Sequence, residues 1–227
     1  MSDRLRLVIF DVDGTLVDSQ GDILAAMTSA FAAESLAPPS RDAILGIVGL
    51  SLDVAIASLA PQADSAVLKR LVEGYKDAYV AMRARTGAAQ SSPLYPGALE
   101  TLHALQAVPD ILIGVATGKS KRGLDKLIEA HALEPFFVTR QVADFHPSKP
   151  HPSMILEAMR EAGTEPADTV MVGDTSFDME MAQAAGVHGI GVNWGYHPVN
   201  ALHAAGQIID SFAALLPLLS THWSIET

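Results

Sequence analysis

The sequence predicts an α/β fold, a doubly wound parallel sheet whose first strand is followed by an inserted all-helical block. From residue 97 onward, short apolar runs rich in β-branched residues alternate with helical patterns, which indicates right-handed βαβ units. Between residues 20 and 90, apolar residues recur at helical spacing and no run is typical of a strand. We therefore expect a core domain built from residues 1–18 and 93–227, and an all-helical cap domain formed by residues 19–92.

Composition limits the possible functions. The chain has 227 residues, 49% of them apolar and 18% charged, which is typical of a globular protein with one sizeable core or a core with a smaller insert. Its formal net charge of −11 argues against a nucleic-acid partner. It has no cysteine, no apolar run long enough for a membrane helix and no signal-peptide pattern at its N-terminus. We expect a cytoplasmic monomer or homodimer without a membrane partner.

The first strand and the cap helices follow from apolar spacing and from helix-ending residues. The run Leu5–Phe10 suits a strand buried on both faces. Pro38 ends the first cap helix, while Ser40 and Ser51 are expected N-caps, and residues 88–97 form a linker-like return. The predicted cap helices are Ile23–Leu36, Arg41–Val48, Leu52–Leu59 and Asp64–Arg85.

The elements of the remaining core alternate as βαβ units require. Pro152 suits a first helical position, and Asp210 is an expected N-cap. The predicted elements are helix 97–107, strand Ile111–Thr117, helix Lys121–His131, strand Phe136–Thr139, helix Ser153–Glu161, strand Thr169–Asp174, helix Met179–Ala185, strand Val187–Val192, strand Gln207–Ile209 and helix Ser211–Leu216.

Polar residues follow the first two strands of the predicted core. The first strand leads into Asp11, Asp13, Gly14 and Thr15, at the edge of an open α/β sheet where ligands bind. Taken alone, this DVDG segment is equally compatible with a solvated turn. The second strand ends in residues 117–120 (TGKS), which provide a hydroxyl and free backbone amides just before a helix. Such a segment is suited to bind an anion. A P-loop is disfavoured, because its first glycine would have to stand where the chain has isoleucine.

Three further charged residues stand near later strands. Lys149 lies in the loop 146–152, and such a lysine alone would be solvated in most proteins. Asp174 ends the strand that begins at Thr169, and Asp178 follows four residues later. That spacing puts both carboxylates on one side if the next helix begins early.

Taken together, these segments resemble the four motifs of the haloacid dehalogenase superfamily. The segments are FDVDGTLVDS (10–19), Thr117, SKPHP (148–152) and GDTSFD (173–178). Within that superfamily the chain resembles the phosphoglycolate-phosphatase-like branch, which has a helical cap after the first motif. The resemblance covers nearly the whole chain and implies a Rossmann-like core with phosphatase activity.

The resemblance also implies a role in the reaction for each of the acidic motif residues. A carboxylate can act as the nucleophile of phosphate-ester hydrolysis, and Asp11 would form the aspartyl-phosphate. Asp13 would protonate the leaving alkoxide and then deprotonate water. Mg²⁺ would be held by Asp11, Asp174 and the main-chain carbonyl of Asp13. Asp178 would bind a metal-bound water or hold Lys149.

The phosphoryl oxygens would be bound by four residues: Gly14, Thr117, Gly118 and Lys149. Many relatives have asparagine where this chain has Gly118, so a side-chain contact is missing here. The dehalogenases of the superfamily lack an acid at the position of Asp13, and its presence favours a phosphatase.

The substrate is expected to be a small phosphomonoester, with phosphoglycolate as the leading candidate by family name. A phosphomutase of the β-phosphoglucomutase type, a pyrophosphatase and a nucleotidase stay open on the same core. A binding module without activity would be expected to have lost Asp11, Asp13 or Lys149. The turn 46–51, with Gly49 and Ser51, is expected to face the site and set specificity. The candidate cations of the cap are Arg41, Lys76 and Arg83.

Overall fold

The computed structural model describes residues 4–225, in which six strands form one parallel sheet in the order β3-β2-β1-β4-β5-β6. The strands are β1 (Arg6–Phe10), β2 (Ile111–Thr117), β3 (Phe137–Val142), β4 (Thr169–Gly173), β5 (His188–Val192) and β6 (Gln207–Ile209). Every neighbouring pair runs parallel. The predicted doubly wound α/β fold is confirmed.

Strand β1 lies at the point where the winding of the sheet changes direction. Its five residues are all buried, as expected for an apolar run with partners on both sides. Phe10 pairs with Val115 of β2 and with Val172 of β4. The residues after these three strands therefore lie next to each other at one edge, the usual ligand site of an open α/β sheet.

The helices are α1 (Gln20–Ala33), α2 (Arg41–Leu45), α3 (Leu52–Leu59), α4 (Ser65–Thr86), α5 (Ala88–Ser91), α6 (Ala98–Gln106), α7 (Lys121–His131), α8 (Ser153–Ala162), α9 (Ser176–Ala185) and α10 (Leu215–Trp223). Helices α6 to α10 cover the two faces of the sheet. Side chains of β1 alternate between the two faces. Val8 and Phe10 share an apolar cluster with α6, α7 and α10, whereas Leu7 and Ile9 pack with α8 and α9.

Helices α1 to α5 follow β1 directly and pack on one another. They have their own apolar cluster, which includes Met27 and Phe31 of α1, Ile56 of α3 and Leu71 of α4. The chain enters and leaves this block through two adjacent connections. Val17 and Leu94 form an antiparallel bridge, and the amide of Asp18 donates to the carbonyl of Pro93 at 2.9 Å. The assignment of the block as a separate cap domain stays a prediction.

The cap helices occur in the predicted order, but α1 begins and ends three residues earlier than predicted, so it ends before Pro38 is reached. Ser40 caps α2 by accepting a hydrogen bond from the amide of Ala43. Helix α2 is shorter than predicted, because the chain turns after Leu45. Ser51 stands at the N-cap position of α3, but its hydroxyl makes no capping hydrogen bond. The return segment is not entirely irregular, since it contains the short helix α5.

Three core elements differ from prediction by more than one residue at an end. Strand β3 extends to Val142, because pairing with β2 continues to Thr117. Helix α9 begins at Ser176, three residues early, because Thr175 and Asp178 form a capping box. The predicted helix Ser211–Leu216 is wrong: Asp210 caps nothing, residues 212–214 form a 3₁₀ turn, and α10 begins at Leu215. Pro217 is tolerated there, since an amide of the first turn has no partner within a helix.

No helix within residues 4–225 has both the length and the apolar character needed to cross a membrane.

Candidate active site

Three buried carboxylates meet at the carboxyl edge of the sheet. Asp11 follows β1, Asp174 follows β4, and Asp178 lies in the first turn of α9. One oxygen from each lies within 4.8 Å of the others, and each residue is at most 1% exposed. The early start of α9 is what turns Asp178 toward this group. The sheet order thus brings together acids that are far apart in the sequence.

Lys149 is the cation of this cluster. Its Nζ donates to Asp11 Oδ1 at 2.8 Å and to Asp178 Oδ1 at 2.6 Å, and its side chain is completely buried. Burial alone would lower the pKa of Lys149, but the carboxylates of Asp11 and Asp178 outweigh burial and raise this pKa above its ordinary value. Lys149 is therefore held as an ammonium group between two acids.

The pKa values of the carboxylates show that one ammonium group does not neutralise the negative charge of the site. Burial raises the pKa of Asp11 to about 7, although the charge of Lys149 acts in the opposite direction. Burial also raises the pKa of Asp174 well above its usual range, and the charges of Asp11 and Asp178 add to that rise. Asp174 receives hydrogen bonds from the Thr15 hydroxyl at 2.9 Å and from the Tyr196 amide at 2.8 Å. The site remains short of positive charge.

The residues present fit a divalent cation with oxygen ligands. Asp11 Oδ2 is buried and has no hydrogen-bond partner among residues 4–225. Asp178 is the most fully engaged of the three acids, because Lys149 holds its Oδ1 and its Oδ2 accepts from both the amide and the hydroxyl of Thr175 at 3.1 and 2.7 Å. Each oxygen of Asp174 accepts a single bond from an uncharged donor. Asp11 and Asp174 are thus the two carboxylates best able to take a hard cation such as Mg²⁺, and Asp178 is placed to hold Lys149.

Gly14 and Thr117 complete this edge. Gly14 has a φ of +87°, which glycine adopts readily, and a Cβ at this position would overlap the carboxylate of Asp174. Thr117 is fully buried at the end of β2, where its Oγ1 accepts a hydrogen bond from the amide of Lys119 at 3.2 Å. These two of the four predicted phosphate-binding residues therefore lie beside the carboxylate cluster.

The side chain of Asp13 points to two residues that the sequence analysis did not select. Lys119 Nζ donates to Asp13 Oδ1 and Oδ2 at 2.6 and 2.7 Å. The Ser19 hydroxyl also donates to Asp13 Oδ1. The sequence does contain a signal for Lys119, which stands two residues after Thr117 and so near the same edge. Ser19, at the end of the first motif, has no comparable signal.

A cavity of about 730 Å³ opens between the strand ends and the helical block. Asp11, Asp13 and Thr117 line its floor, and Gly49 and Ser51 line its rim. Its cap wall is largely apolar, with contributions from Ile23, Met27, Val72, Tyr75 and Tyr79. The turn 46–51 therefore faces the cavity that contains Asp11.

Backbone and side-chain contacts bind this turn to the core. The amide of Ser51 donates to the Ser148 hydroxyl at 2.9 Å, next to Lys149. The hydroxyl of Ser51 hydrogen-bonds the carboxylate of Asp53 and lowers the pKa of that acid. Of the candidate cap cations, Lys76 and Arg83 line the cavity. Arg41 is instead bound to Gln20, with 2.7 Å between Nη2 and Oε1.

Gly118 explains how the turn comes so close. A Cβ at this position would lie 2.5 Å from the carbonyl oxygen of Leu50 and 2.6 Å from that of Gly49. An asparagine side chain, which the resembled motif would place here, would therefore collide with the turn as it lies. The presence of glycine at this position is thus coupled to the close approach of the turn to β2.

A family model described as haloacid dehalogenase-like hydrolase matches residues 8–192. The chain belongs to this family. The family predicted from the four motifs is confirmed, and so is the assignment as an enzyme, a hydrolase whose named relatives are phosphatases.

Full-length relatives support the same assignment. The chain is 36% identical to a probable phosphatase, IndB, of Dickeya dadantii, over 92% of this chain and 91% of that protein. It is 32% identical to a phosphoglycolate phosphatase of Agrobacterium fabrum, over 94% of this chain and 91% of that protein. The crystal structure of a predicted phosphoglycolate phosphatase from Haemophilus somnus superposes on this structure with a TM-score of 0.83 at 26% sequence identity. The match covers 96% of this chain and 99% of that chain.

A β-phosphoglucomutase from Clostridium difficile also has this architecture. Its TM-score is 0.82, with 97% of each chain covered, but its sequence identity is 17%. That similarity shows a shared fold and does not assign an activity.

The raised pKa values predict how stability depends on pH without metal. Because the folded pKa of Asp11 is about 7, against 3.8 unfolded, its contribution is fully present below pH 4 and is lost as the pH rises toward 7. In EDTA we expect the free energy of unfolding to fall by a few kcal/mol over this range, at about 1.4 kcal/mol per pKa unit. Asp11→Asn should reduce this fall in urea unfolding, and Mg²⁺ should reduce it in the unsubstituted protein.

The matched control is Asp42→Asn, since the Asp42 side chain is 95% exposed. It should leave the pH dependence unchanged. A pH dependence that is the same in Asp11→Asn as in the unsubstituted protein would contradict the electrostatic description of the cluster.

Gly118→Ala tests the contact between the turn and β2. The added methyl group overlaps the carbonyls of Gly49 and Leu50, so it should displace the turn and break the hydrogen bond from the Ser51 amide. We expect faster amide hydrogen exchange over residues 47–51, with little change in the sheet. Gly21→Ala is the control, because a Cβ there meets nothing within 4 Å. Unchanged exchange in Gly118→Ala would mean that the turn is not held against Gly118.

Proposed function

We propose that this hydrolase is a Mg²⁺-dependent phosphatase that cleaves a small phosphomonoester through an aspartyl-phosphate on Asp11. The observation that carries the proposal is the environment of the Asp11 carboxylate. Lys149 holds Oδ1, Oδ2 has no partner, and the residue lines a cavity large enough for a small ester. Lys149 orients this carboxylate through one oxygen, so the two oxygens of Asp11 can divide between a cation and the attack on phosphorus.

In the first half of the reaction, a carboxylate oxygen of Asp11 forms a bond to phosphorus as the bond to the alcohol oxygen breaks. Asp11 and Asp174, with the main-chain carbonyl of Asp13, would hold Mg²⁺, which would supply positive charge to the phosphoryl oxygens. Lys149, fixed by Asp178, provides further positive charge. Phosphoryl transfer depends mainly on such positioning and charge neutralisation.

Proton transfer is assigned to Asp13. Its carboxyl proton passes to the leaving alkoxide in the first half of the reaction. In the second half, its carboxylate takes a proton from the water that attacks the phosphoenzyme, so the group ends as it began. Asp13 lines the same cavity as Asp11, as this role requires. The presence of this acid also supports a phosphatase over a dehalogenase.

The hydroxyl of Thr117 and the amides of Gly14 and Gly118 would bind the remaining phosphoryl oxygens. In this proposal the cap, residues 19–92, closes on the core during transfer and opens to release product. The adjacent connections near Val17 and Leu94 would serve as its hinge.

Phosphoglycolate is the first substrate to test, because several relatives are named phosphoglycolate phosphatases. Small sugar phosphates, pyrophosphate and nucleoside monophosphates are the other members of the panel. A cytoplasmic location and a monomeric or dimeric state stay predictions.

The test is a panel of these esters assayed for phosphate release with Mg²⁺ and with EDTA. We expect turnover of at least one ester, loss of turnover in EDTA and recovery with excess Mg²⁺, with Ca²⁺ a poor substitute because of its larger, looser coordination. Asp11→Asn should lower kcat by at least about a thousandfold, since it removes the attacking group, while Asp42→Asn should not change kcat.

Full turnover in EDTA would remove the metal from the mechanism. No turnover of any ester by folded protein in Mg²⁺ would reject the phosphatase. Phosphate transfer that requires a bisphosphate would indicate a mutase instead.

A further inference from the structure

The loop that follows β5 lies against the carboxylate edge of the sheet and has no role in the proposed reaction. Trp194 Nε1 donates to the carbonyl of Thr15 at 3.2 Å, and the amide of Tyr196 donates to Asp174 Oδ2 at 2.8 Å. A Cβ at Gly195 would overlap the side chain of Asp174, so the backbone of this loop packs directly against that acid. The loop therefore helps to fix the orientation of one of the two carboxylates best able to take a cation.

The side chain of Tyr196 extends from the same loop to the start of the cap. Its hydroxyl accepts a hydrogen bond from the amide of Ser19 at 2.8 Å, and its ring packs against the apolar cluster of the cap. The hydroxyl also interacts with that of Tyr95, which lies on the connection through which the chain returns from the cap. Tyr196 therefore contacts both connections between the cap and the core.

Ser19 is bound to the core in a way that is unusual for a residue at the start of a helix. It stands at the N-cap position of α1 and is completely buried, yet its hydroxyl caps no amide of the described helix, Gln20–Ala33. An N-cap serine usually accepts such a hydrogen bond, which stabilises the helix. Here the hydroxyl donates to Asp13 Oδ1 instead, while the amide donates to Tyr196. The start of α1 is thus held by contacts with the core at the expense of ordinary capping.

These contacts connect the carboxylate cluster to the cap without a break. A cation on Asp174 would hold its carboxylate in one position, and the backbone of Gly195 and Tyr196 has to follow because the two are in contact. The side chain of Tyr196 leaves that backbone and ends on the amide of Ser19. A change in the mobility of Asp174 therefore reaches the first residue of the cap through a single side chain.

We propose that Tyr196 is a positioning residue that couples occupancy of the cation site at Asp174 to the docking of α1 on the core. Its amide orients the acid, and its hydroxyl holds the start of the helix. A bound cation then holds α1 more firmly, and a docked α1 raises the affinity of the site for the cation, because coupling between two sites is reciprocal. This inference rests on the cation site and the hinge of the proposed function, and not on the identity of the ester.

The test measures hydrogen exchange of the amides of residues 23–27, in the first turns of α1, with Mg²⁺ and with EDTA. In the unsubstituted protein, we expect Mg²⁺ to slow this exchange by about threefold to tenfold, the scale of one neutral hydrogen bond. Tyr196→Phe keeps the ring and the amide bond to Asp174 but removes the hydroxyl, so most of the Mg²⁺ effect should be lost. A merely structural role would speed exchange equally in Mg²⁺ and in EDTA and leave their ratio unchanged.

Two further variants serve as controls. Tyr75→Phe makes the same change at another tyrosine of the cap cluster, and it should leave the Mg²⁺ effect unchanged. Ser19→Ala removes the hydrogen bond to Asp13 but keeps the amide that donates to Tyr196, so it should retain most of the Mg²⁺ effect. The comparison separates coupling through Tyr196 from coupling through Asp13.

Calorimetric titration with Mg²⁺ gives a second readout of the same coupling. The factor by which Mg²⁺ slows exchange in the unsubstituted protein should equal, within about twofold, the factor by which Tyr196→Phe weakens Mg²⁺ binding, because the two factors describe one coupling free energy. Neither measurement requires turnover of a substrate.

The outcomes separate this inference from the function on which it rests. Mg²⁺ binding that leaves the exchange of α1 unchanged in the unsubstituted protein would overturn the inference and leave the cation site intact. A Mg²⁺ effect that persists in Tyr196→Phe, or that is lost only in Ser19→Ala, would also overturn it, since the coupling would then run through another contact. No binding of Mg²⁺ by the folded protein would reject the cation site and the inference with it. Coupling in a protein that hydrolyses no ester would support the inference and reject the phosphatase.

Discussion

The burial of three carboxylates, those of Asp11, Asp174 and Asp178, against the single ammonium group of Lys149 is the constraint on which the site depends. Ionised carboxylates are costly to bury unless positive charge and hydrogen bonds compensate them. Lys149 supplies one charge, and hydrogen-bond donors such as the Thr15 hydroxyl and the Tyr196 amide supply part of the rest. The pKa values of Asp11 and Asp174 stay raised. The same shortage of positive charge that destabilises the acids favours the binding of a divalent cation.

The sheet order makes this concentration of charge possible. Because β1 lies between β2 and β4, the residues that follow these three strands share one edge, where Thr117, Asp11 and Asp174 all lie. The cap turn covers that edge, and Gly118 leaves space for its carbonyl groups. The cap turn and the end of β2 are therefore in backbone contact. If the cap closes on the core as proposed, exclusion of water would strengthen every electrostatic interaction beneath it.

Much of the fold and of the site could be predicted from the sequence, because the strand ends and the motif residues are recognisable from local residue patterns. A functional role for Lys149 could be predicted only together with the other motifs, because the local sequence around a single loop lysine does not indicate whether it is buried. The pair of Lys119 with Asp13 joins residues 106 positions apart and depends on the adjacency of β1 and β2 and on side-chain direction. Gly118 was visible as a departure from the family pattern, but its reason lies in the position of the cap turn. The last helix was misplaced because a proline in the first turn does not stop a helix.

The central claim, that Asp11 becomes phosphorylated, is tested most directly by trapping the phosphoenzyme. An aryl phosphate needs no acid for its leaving group, so an Asp13→Asn enzyme should form the aspartyl-phosphate and then hydrolyse it slowly for lack of a base. Acid quench, borohydride reduction and peptide mass spectrometry should then find homoserine in place of aspartate at position 11. A reduction product at another residue, or no homoserine at position 11 while the aryl alcohol is released, would contradict the assignment.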